Sequence, residues 1–287
     1  MQPVIKWSGS KRSQAHDITT YIQREYDTYY EPFCGSCAVL AYIIERENNL
    51  ATRFKHFVCS DLNPDLINSY NLIKTKPTTV TNAYEVMWHE MNMKKHTPSD
   101  KKLYFERIRE RLNKSHNPLD FIFIMRTTTN GMPRYNKQGE FNNSFHITRN
   151  GIEPEKFKQI VMRWSGLLNK YDVQFICQSF EKIAPGKNDL AYLDPPYANT
   201  KGMYYGNIEQ TTLFAFLRCL ECDWMLSYDG IAGKQNLTVD LPQDLYKSHY
   251  YLKSGNSSFR RVIGKDKHCN VQESLYLNFV PDFSFIF

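Results

Sequence analysis

At 287 residues the chain is long for one domain and short for two full ones, and with 41% hydrophobic and 14% aromatic residues it can build its own core. The net charge of +6 permits a polyanionic partner without demanding one. No amino-terminal run has the length of a signal peptide or a membrane span, and seven cysteines is an odd count that argues against a disulfide framework, so a cytoplasmic protein with no membrane partner is expected.

The amino terminus leads into Lys6-Trp7-Ser8-Gly9-Ser10-Lys11. Small residues between lysines can bring backbone amides and ammonium groups to an anion, and Trp7 can cover an apolar ligand part. The plainer reading is a basic arm with one anchoring tryptophan. Helical spacing follows over Ile18–Tyr26. Thr28–Phe33 is rich in β-formers, and Pro32 ends it as a strand. It runs into the small-residue turn Phe33-Cys34-Gly35-Ser36-Cys37, then a helix from Ala38 to about Glu47. Strand, tight turn and helix make the first unit of a nucleotide-type binding fold. No Gly-Lys-Ser/Thr follows, so the turn is not a Walker loop.

Phe54–Ser60 reads as the second strand, ending at Asp61-Leu62-Asn63-Pro64-Asp65. An acid at this place suits a hydrogen bond to a ribose, and a helix cap before Pro64 is the simpler role. Residues 66–120 are polar and helix-prone. Lys101, Lys102, Arg107, Arg109 and Arg111 suggest a basic face, which is usually only solvated. The run Phe121-Ile122-Phe123-Ile124-Met125 predicts a strand over Asp120–Met125. Arg126 to Asn142 then carries Arg, Asn, Thr and Gly with almost no aliphatics. Arg can read guanine and Asn adenine, whereas the bland reading is a surface hairpin. A helix is predicted over Pro154–Asn169 and a strand over Val173–Cys177.

Leu190-Ala191-Tyr192-Leu193 stops at Asp194-Pro195-Pro196-Tyr197. Neither proline can donate a backbone hydrogen bond, so a strand must end in a stiff loop at the sheet edge where ligands bind. The Asp194 carboxylate and Pro195 carbonyl are acceptors beside the flat Tyr197 ring, a set that suits a planar group bearing NH2. A Pro-rich turn with a core tyrosine is the alternative. A glycine- and tyrosine-rich loop follows over Ala198–Asn207, then a helix beginning at Leu213, with Cys219 and Cys222 read inside a buried helix reaching Trp224. A strand at Trp224–Tyr228, alternating segments at Tyr246–Leu252 and Glu273–Phe279, and a basic loop with Arg260, Arg261, Lys265 and Lys267 close the chain. Cys34/Cys37 and Cys219/Cys222 are two Cys-x-x-Cys pairs, but spacing alone does not build a tetrahedral zinc site, and no metal is expected.

Asp194-Pro195-Pro196-Tyr197 resembles the catalytic motif of amino-methyltransferases that modify adenine N6 in DNA. Together with the amino-terminal Lys-Trp segment, the Phe33 turn, Asp61 and the Asn130–Asn142 signature, it makes nearly the whole chain similar to the Dam-like (D12 class, alpha group) DNA adenine methyltransferases. The resemblance implies an α/β fold: a Rossmann-like class I S-adenosylmethionine-dependent methyltransferase sheet with one reversed strand, plus a mainly helical inserted domain. It implies a catalytic, cofactor-binding domain of residues 1–65 and 171–287 and a DNA target-recognition domain of residues 66–170. Carried over by position, Asp194, Pro195, Pro196 and Tyr197 are catalytic. Trp7, Lys11, Phe33, Gly35, Asp61 and Asp194 contact S-adenosylmethionine, and Arg126, Asn130, Arg134 and Asn136 contact double-stranded DNA. Ser8, Ser10 and Cys37 depart from the family's Lys-Trp-Ala-Gly-Gly-Lys and Phe-x-Gly-x-Gly patterns. Ser10 narrows the allowed backbone angles, and Cys37 costs about a kcal/mol if its position needs a positive φ. Cytosine-N4 methylation, a small-molecule or protein methyltransferase and a catalytically inactive DNA-binding relative stay open, as does a cognate restriction endonuclease as partner.

Overall fold

The computed structural model describes residues 1–45, 49–148, 150–196, 208–232, 235–239, 241–254 and 271–282. The strands are β1 (Tyr26–Glu31), β2 (Phe54–Asp61), β3 (Gln174–Cys177), β4 (Leu190–Leu193), β5 (Asp223–Ala232), β6 (Gln235–Asn236), β7 (Ser248–Ser254) and β8 (Val271–Leu277). The helices are α1 (Ala15–Thr19), α2 (Ala38–Ile43), α3 (Pro64–Thr75), α4 (Pro77–Met91), α5 (Pro98–Ser115), α6 (Pro118–Thr127), α7 (Pro154–Lys170) and α8 (Gln210–Cys219). The chain divides into two compact units. One holds Met1–Gly9 and Asp61–Cys177, and the other holds the described residues of Ser10–Ser60, Gln178–Lys201 and Asn207–Phe287.

The second unit is built on a sheet in which β2, β1, β4, β5, β8 and β7 lie side by side, with β6 paired to β5. β2, β1, β4 and β5 are parallel, while β8 runs antiparallel to both β5 and β7. This is the expected α/β methyltransferase sheet with a reversed strand near the carboxyl end. The chain leaves β1 for β2 on one side and returns as β4 on the other, so the order reverses beside β1. Ligands of open α/β sheets bind at the carboxyl ends of strands at such a reversal.

β4 is apolar on both faces because the sheet is covered on both faces: Leu190, Ala191, Tyr192 and Leu193 are all buried. The pleat then sorts its residues. Ala191 and Leu193 join Trp224, Leu226, Tyr228, Tyr276 and the α8 residues Leu213 and Leu217 in one apolar cluster. Tyr192 bonds the buried Ser227 hydroxyl at 2.8 Å instead.

In the first unit, α6 is the helix buried all round; Phe121, Ile122, Phe123, Ile124 and Met125 are each at most 1% exposed. The strand expected there is therefore corrected to a helix. A helix surrounded by protein shows no polar face, so its apolar run cannot be told from a buried strand by period alone. The capping signal was in the sequence: Asn117 accepts the Leu119 amide at 3.0 Å, and Pro118 opens the helix. Asp120 is buried in its first turn and takes Arg111 through two bonds of 2.6 and 2.7 Å.

Two other expectations shift. The helix expected over 18–26 is only α1, and Tyr26 begins β1, where it pairs with Phe54. The buried helix read as far as Trp224 ends at Cys219, and Trp224 is in β5. The helical character of 66–115, the 154–170 helix and the short strand after it are as expected.

Candidate active site and nucleic-acid segment

Within the sheet unit, Pro195 and Pro196 follow β4 with no strand residue after Leu193. Asp194 continues the face of Tyr192, and its Oδ1 accepts from the Lys11 ammonium at 2.6 Å. The same ammonium lies 3.3 Å from Glu273 Oε2 on β8. Lys11 is 5% exposed, so this cation is taken out of water and held by two carboxylates. Lys11 stands in a short 3-10 turn, Lys11–Ser13, that leads into α1.

Glu31 ends β1 on the same sheet face. Its Oε2 accepts from the Tyr29 hydroxyl at 2.8 Å and from the Leu40 amide of α2 at 3.0 Å. Burial, with Cys37 next, pushes the Glu31 carboxyl well above the usual carboxylate range; the two hydrogen bonds oppose that shift. Burial drives the Tyr192 phenol up in the same way, with Asp194, Glu31 and Glu273 adding to it. Sequence reading passed over both Glu31 and Glu273. An acid closing the aromatic stretch Tyr29-Tyr30-Glu31 was a usable signal, whereas nothing local marks Glu273.

The turn after β1 approaches the end of β2, since the Cys34 amide donates to the Ser60 carbonyl at 3.0 Å. Gly35 has φ +43° and Cys37 has φ +50° with ψ +42°. The second glycine position of the motif is thus truly left-handed, and cysteine occupies it. Ser10 is different. The positive φ of its segment, +78°, falls on Gly9, and Ser10 has an ordinary φ of −55°. The narrowing expected at Ser10 is removed, because the retained glycine carries the turn. Ser10 Oγ instead accepts from Ser36 Oγ at 2.8 Å. Phe33 packs on Phe180, ring centroids 5.1 Å apart.

Within the other unit, the amino-terminal arm is fixed at three points. Trp164 Nε1 donates to the Gln2 carbonyl at 2.8 Å, Arg126 donates to the Pro3 carbonyl, and the Ser8 amide donates to the Gly131 carbonyl at 2.8 Å. Gly131 has φ +64°, and a Cβ there would stand 2.7 Å from Lys6 Cγ, so only glycine lets the arm lie so close. Trp7 is half-buried on this arm. Asp61 closes β2, and its Oδ1 accepts the Asn63 amide at 3.0 Å. Asn63 caps α3 by accepting the Leu66 amide at 3.1 Å, so capping falls to Asn63 and not to Asp61.

The four expected DNA contacts separate by environment. Arg134 is exposed. Asn130 is half-buried with φ +57°, beside Gly131. Asn136 Oδ1 accepts the Gln138 and Glu140 amides at 3.0 and 2.9 Å, so it shapes the turn that carries Arg134. Arg126 turns inward: its guanidinium lies 5.5 Å from the Phe157 ring centroid and bonds the Pro3 carbonyl. Burial pulls its pKa down to about 10. A side chain so committed holds the arm in place and does not reach toward a base. The α5 cations are also largely occupied: Lys101 bonds Asn92 and Asn150, Arg109 bonds the Asn143 carbonyl, and Arg107 lies over Tyr104. Tyr197, the Ala198–Asn207 loop and the four basic residues from Arg260 to Lys267 lie outside the described residues. Among the cysteines, Cys37 and Cys222 are buried and Cys219 is exposed.

Residues 7–258 match the family model of the D12 class N6 adenine-specific DNA methyltransferases. The chain belongs to that family. A DNA adenine methylase of Vibrio cholerae serotype O1 is 32% identical over 196 residues, covering 68% of this chain and 64% of the relative. The retron Ec67 DNA adenine methylase of Escherichia coli is 26% identical over 272 residues, covering 90% and 85%. A type II methyltransferase of Methanocaldococcus jannaschii, M.MjaIII, is 28% identical over 211 residues, covering 69% of each chain. The match therefore spans just under two thirds of the Vibrio relative's length and most of the retron relative's. Among the described residues no helix is long and apolar enough to cross a membrane.

Proposed function

We propose that this chain transfers a methyl group from S-adenosylmethionine to adenine N6 in double-stranded DNA. The supporting observation is the Asp194-Pro195-Pro196 tip at the carboxyl end of β4, beside the strand-order reversal, with the Asp194 carboxylate held by a buried ammonium at 2.6 Å. Two prolines withhold backbone donors, so the tip offers acceptors only, as an amine substrate requires. Asp194 and the Pro195 carbonyl would accept the amine hydrogens and aim the nitrogen lone pair. Tyr197 would stack on the base, and base–aromatic stacking returns roughly 1–3 kcal/mol of the few kcal/mol that extrusion from the duplex costs. Positioning and fixed charges supply most of the rate in such a site.

The residues of the sheet unit fit the cofactor. On the sheet unit, the left-handed backbone at Gly35 and Cys37 keeps the Phe33–Cys37 turn tight at the end of β1, and Phe33 presents a ring there. Lys11, which holds Asp194 at 2.6 Å, and Asp194 itself would stand at the same site. On the other unit, Trp7 and Asp61 are the groups for an apolar part and a ribose. S-adenosylmethionine, when bound, supplies an electrophilic methyl on a sulfonium. Residues 66–170 would form the DNA-recognition part, with Arg134 as its exposed reader and Asn130 and Asn136 shaping the segment. The protein would act on DNA in the cytoplasm; a paired endonuclease draws no support from the geometry.

The test is incubation with labelled S-adenosylmethionine and duplex DNA, followed by nucleoside digestion. Label in N6-methyl-2′-deoxyadenosine is expected; label in N4-methyl-2′-deoxycytidine, or none in DNA, refutes the reading.

A further inference from the structure

The geometry points to Glu273 as a positioning residue for the reaction proposed above, on which the inference rests: it receives the Lys11 ammonium when the target amine takes that cation's place on Asp194. In the structure one buried ammonium serves two carboxylates, at 2.6 Å from Asp194 and 3.3 Å from Glu273. An amine that is to donate to Asp194 competes with Lys11 for the same oxygens. Separating a buried ammonium from its partner is costly unless another carboxylate takes it up. Glu273 is already within reach, so the exchange needs a small shift and no exposure of charge to an apolar wall.

A second feature fixes where Glu273 stands. The register of β5 against β8 slips between Tyr228 and Ile231. Gly230 lies in that slip, and a Cβ on it would come within 2.2 Å of the Gln272 carbonyl oxygen and 2.9 Å of Glu273 Cα. Only a glycine permits this approach, and the bulge presses the Gln272–Glu273 backbone onto β5. Bulges beside active sites re-aim side chains. Here the residue delivered is the acid that meets Lys11. Titratable groups facing the pair include Glu31 from β1 and Tyr192 from β4, and burial pushes both upward, toward their protonated forms.

The experiment compares the wild-type chain with Glu273→Gln, Lys11→Met and the double variant, using labelled S-adenosylmethionine and duplex DNA. Glu273→Gln is expected to lower kcat at least tenfold while KM for DNA and the thermal midpoint stay close to wild type. The double variant should be no slower than Lys11→Met, since Glu273 acts only through the lysine. Glu273→Asp, which keeps the charge, should recover part of the loss. An unchanged kcat in Glu273→Gln, additive effects in the double variant, or a fall in thermal midpoint with KM rising in parallel each overturns the role. A wild-type chain that labels no DNA defeats the functional reading and this role with it. An active wild type with an indifferent Glu273 defeats this role alone.

Discussion

Asn63 Nδ2 donates a hydrogen bond to Tyr135 Oη at 2.7 Å, which joins the segment bearing Arg134 to the residue that orients Asp61. The Asn63 backbone amide in turn donates to Asp61 Oδ1 at 3.0 Å. One asparagine thus caps α3, steadies the acid assigned to a ribose and holds the proposed DNA segment.

Tyr135→Phe should therefore reach the cofactor as well as the DNA. Losing one neutral hydrogen bond is worth about 1 kcal/mol, which corresponds to roughly a fivefold weaker affinity for S-adenosylmethionine. Titration calorimetry of the variant without DNA checks this. Unchanged affinity would show that Asp61 is set independently of Tyr135.

Asp194→Asn keeps the shape of the tip but removes the charge facing Lys11. Methylation should fall by at least a hundredfold, while DNA binding measured by gel shift stays within a few-fold. Stability should change little, because Lys11 keeps Glu273 at 3.3 Å as a partner. A large loss of thermal midpoint would mean that the Asp194 pair holds the fold and not the substrate.

Arg126 and Arg134 should respond oppositely to alanine. Arg134 is exposed, so its removal should relax discrimination between sites and leave the melting temperature alone. Arg126 holds the Pro3 carbonyl and covers Phe157, so its removal should destabilise the fold by about 2 kcal/mol. Site preference from sequencing of methylated positions, paired with urea unfolding, separates the two.

The pair also shows what sequence could reveal. Both arginines lie in one polar segment, and nothing local distinguishes the one that points inward; its partners are a main-chain carbonyl and a ring far along the chain. The strand before Asp194 was legible because two prolines and an apolar run are local facts. The α6 run was not, since complete burial erases the periodicity that separates helix from strand, and the cap at Asn117-Pro118 was the only arbiter. Glu273 was invisible for the same reason as Arg126: its meaning comes from sheet closure, through a bulge at Gly230 that brings β8 against β5.

Cys37 gives a stability test of the departed motif. Its φ of +50° costs a non-glycine residue about 1 kcal/mol, and a β-branched side chain is worse there. Cys37→Gly should fold at least as stably as the native chain. Cys37→Val should lose roughly 1–2 kcal/mol beyond the native strain, read as a lower urea midpoint. Equal midpoints for the two variants would show that the turn relaxes out of the left-handed region.

Glu31 sets a pH dependence whose sign follows from burial. Its carboxyl is held well above the usual range in the folded chain, so folding favours the protonated form. The stability it contributes is complete below the unfolded carboxylate pKa, near 4.3 for glutamate, and is lost as pH rises toward its folded value. Glu31→Gln keeps an oxygen for the Tyr29 hydroxyl and the Leu40 amide but cannot ionise. The variant should therefore gain on the native chain as pH is raised from about 5 to 8. Urea unfolding of both proteins across that range measures the difference. A difference that stays flat with pH, or that shrinks as pH rises, would mean that Glu31 stays ionised in the fold.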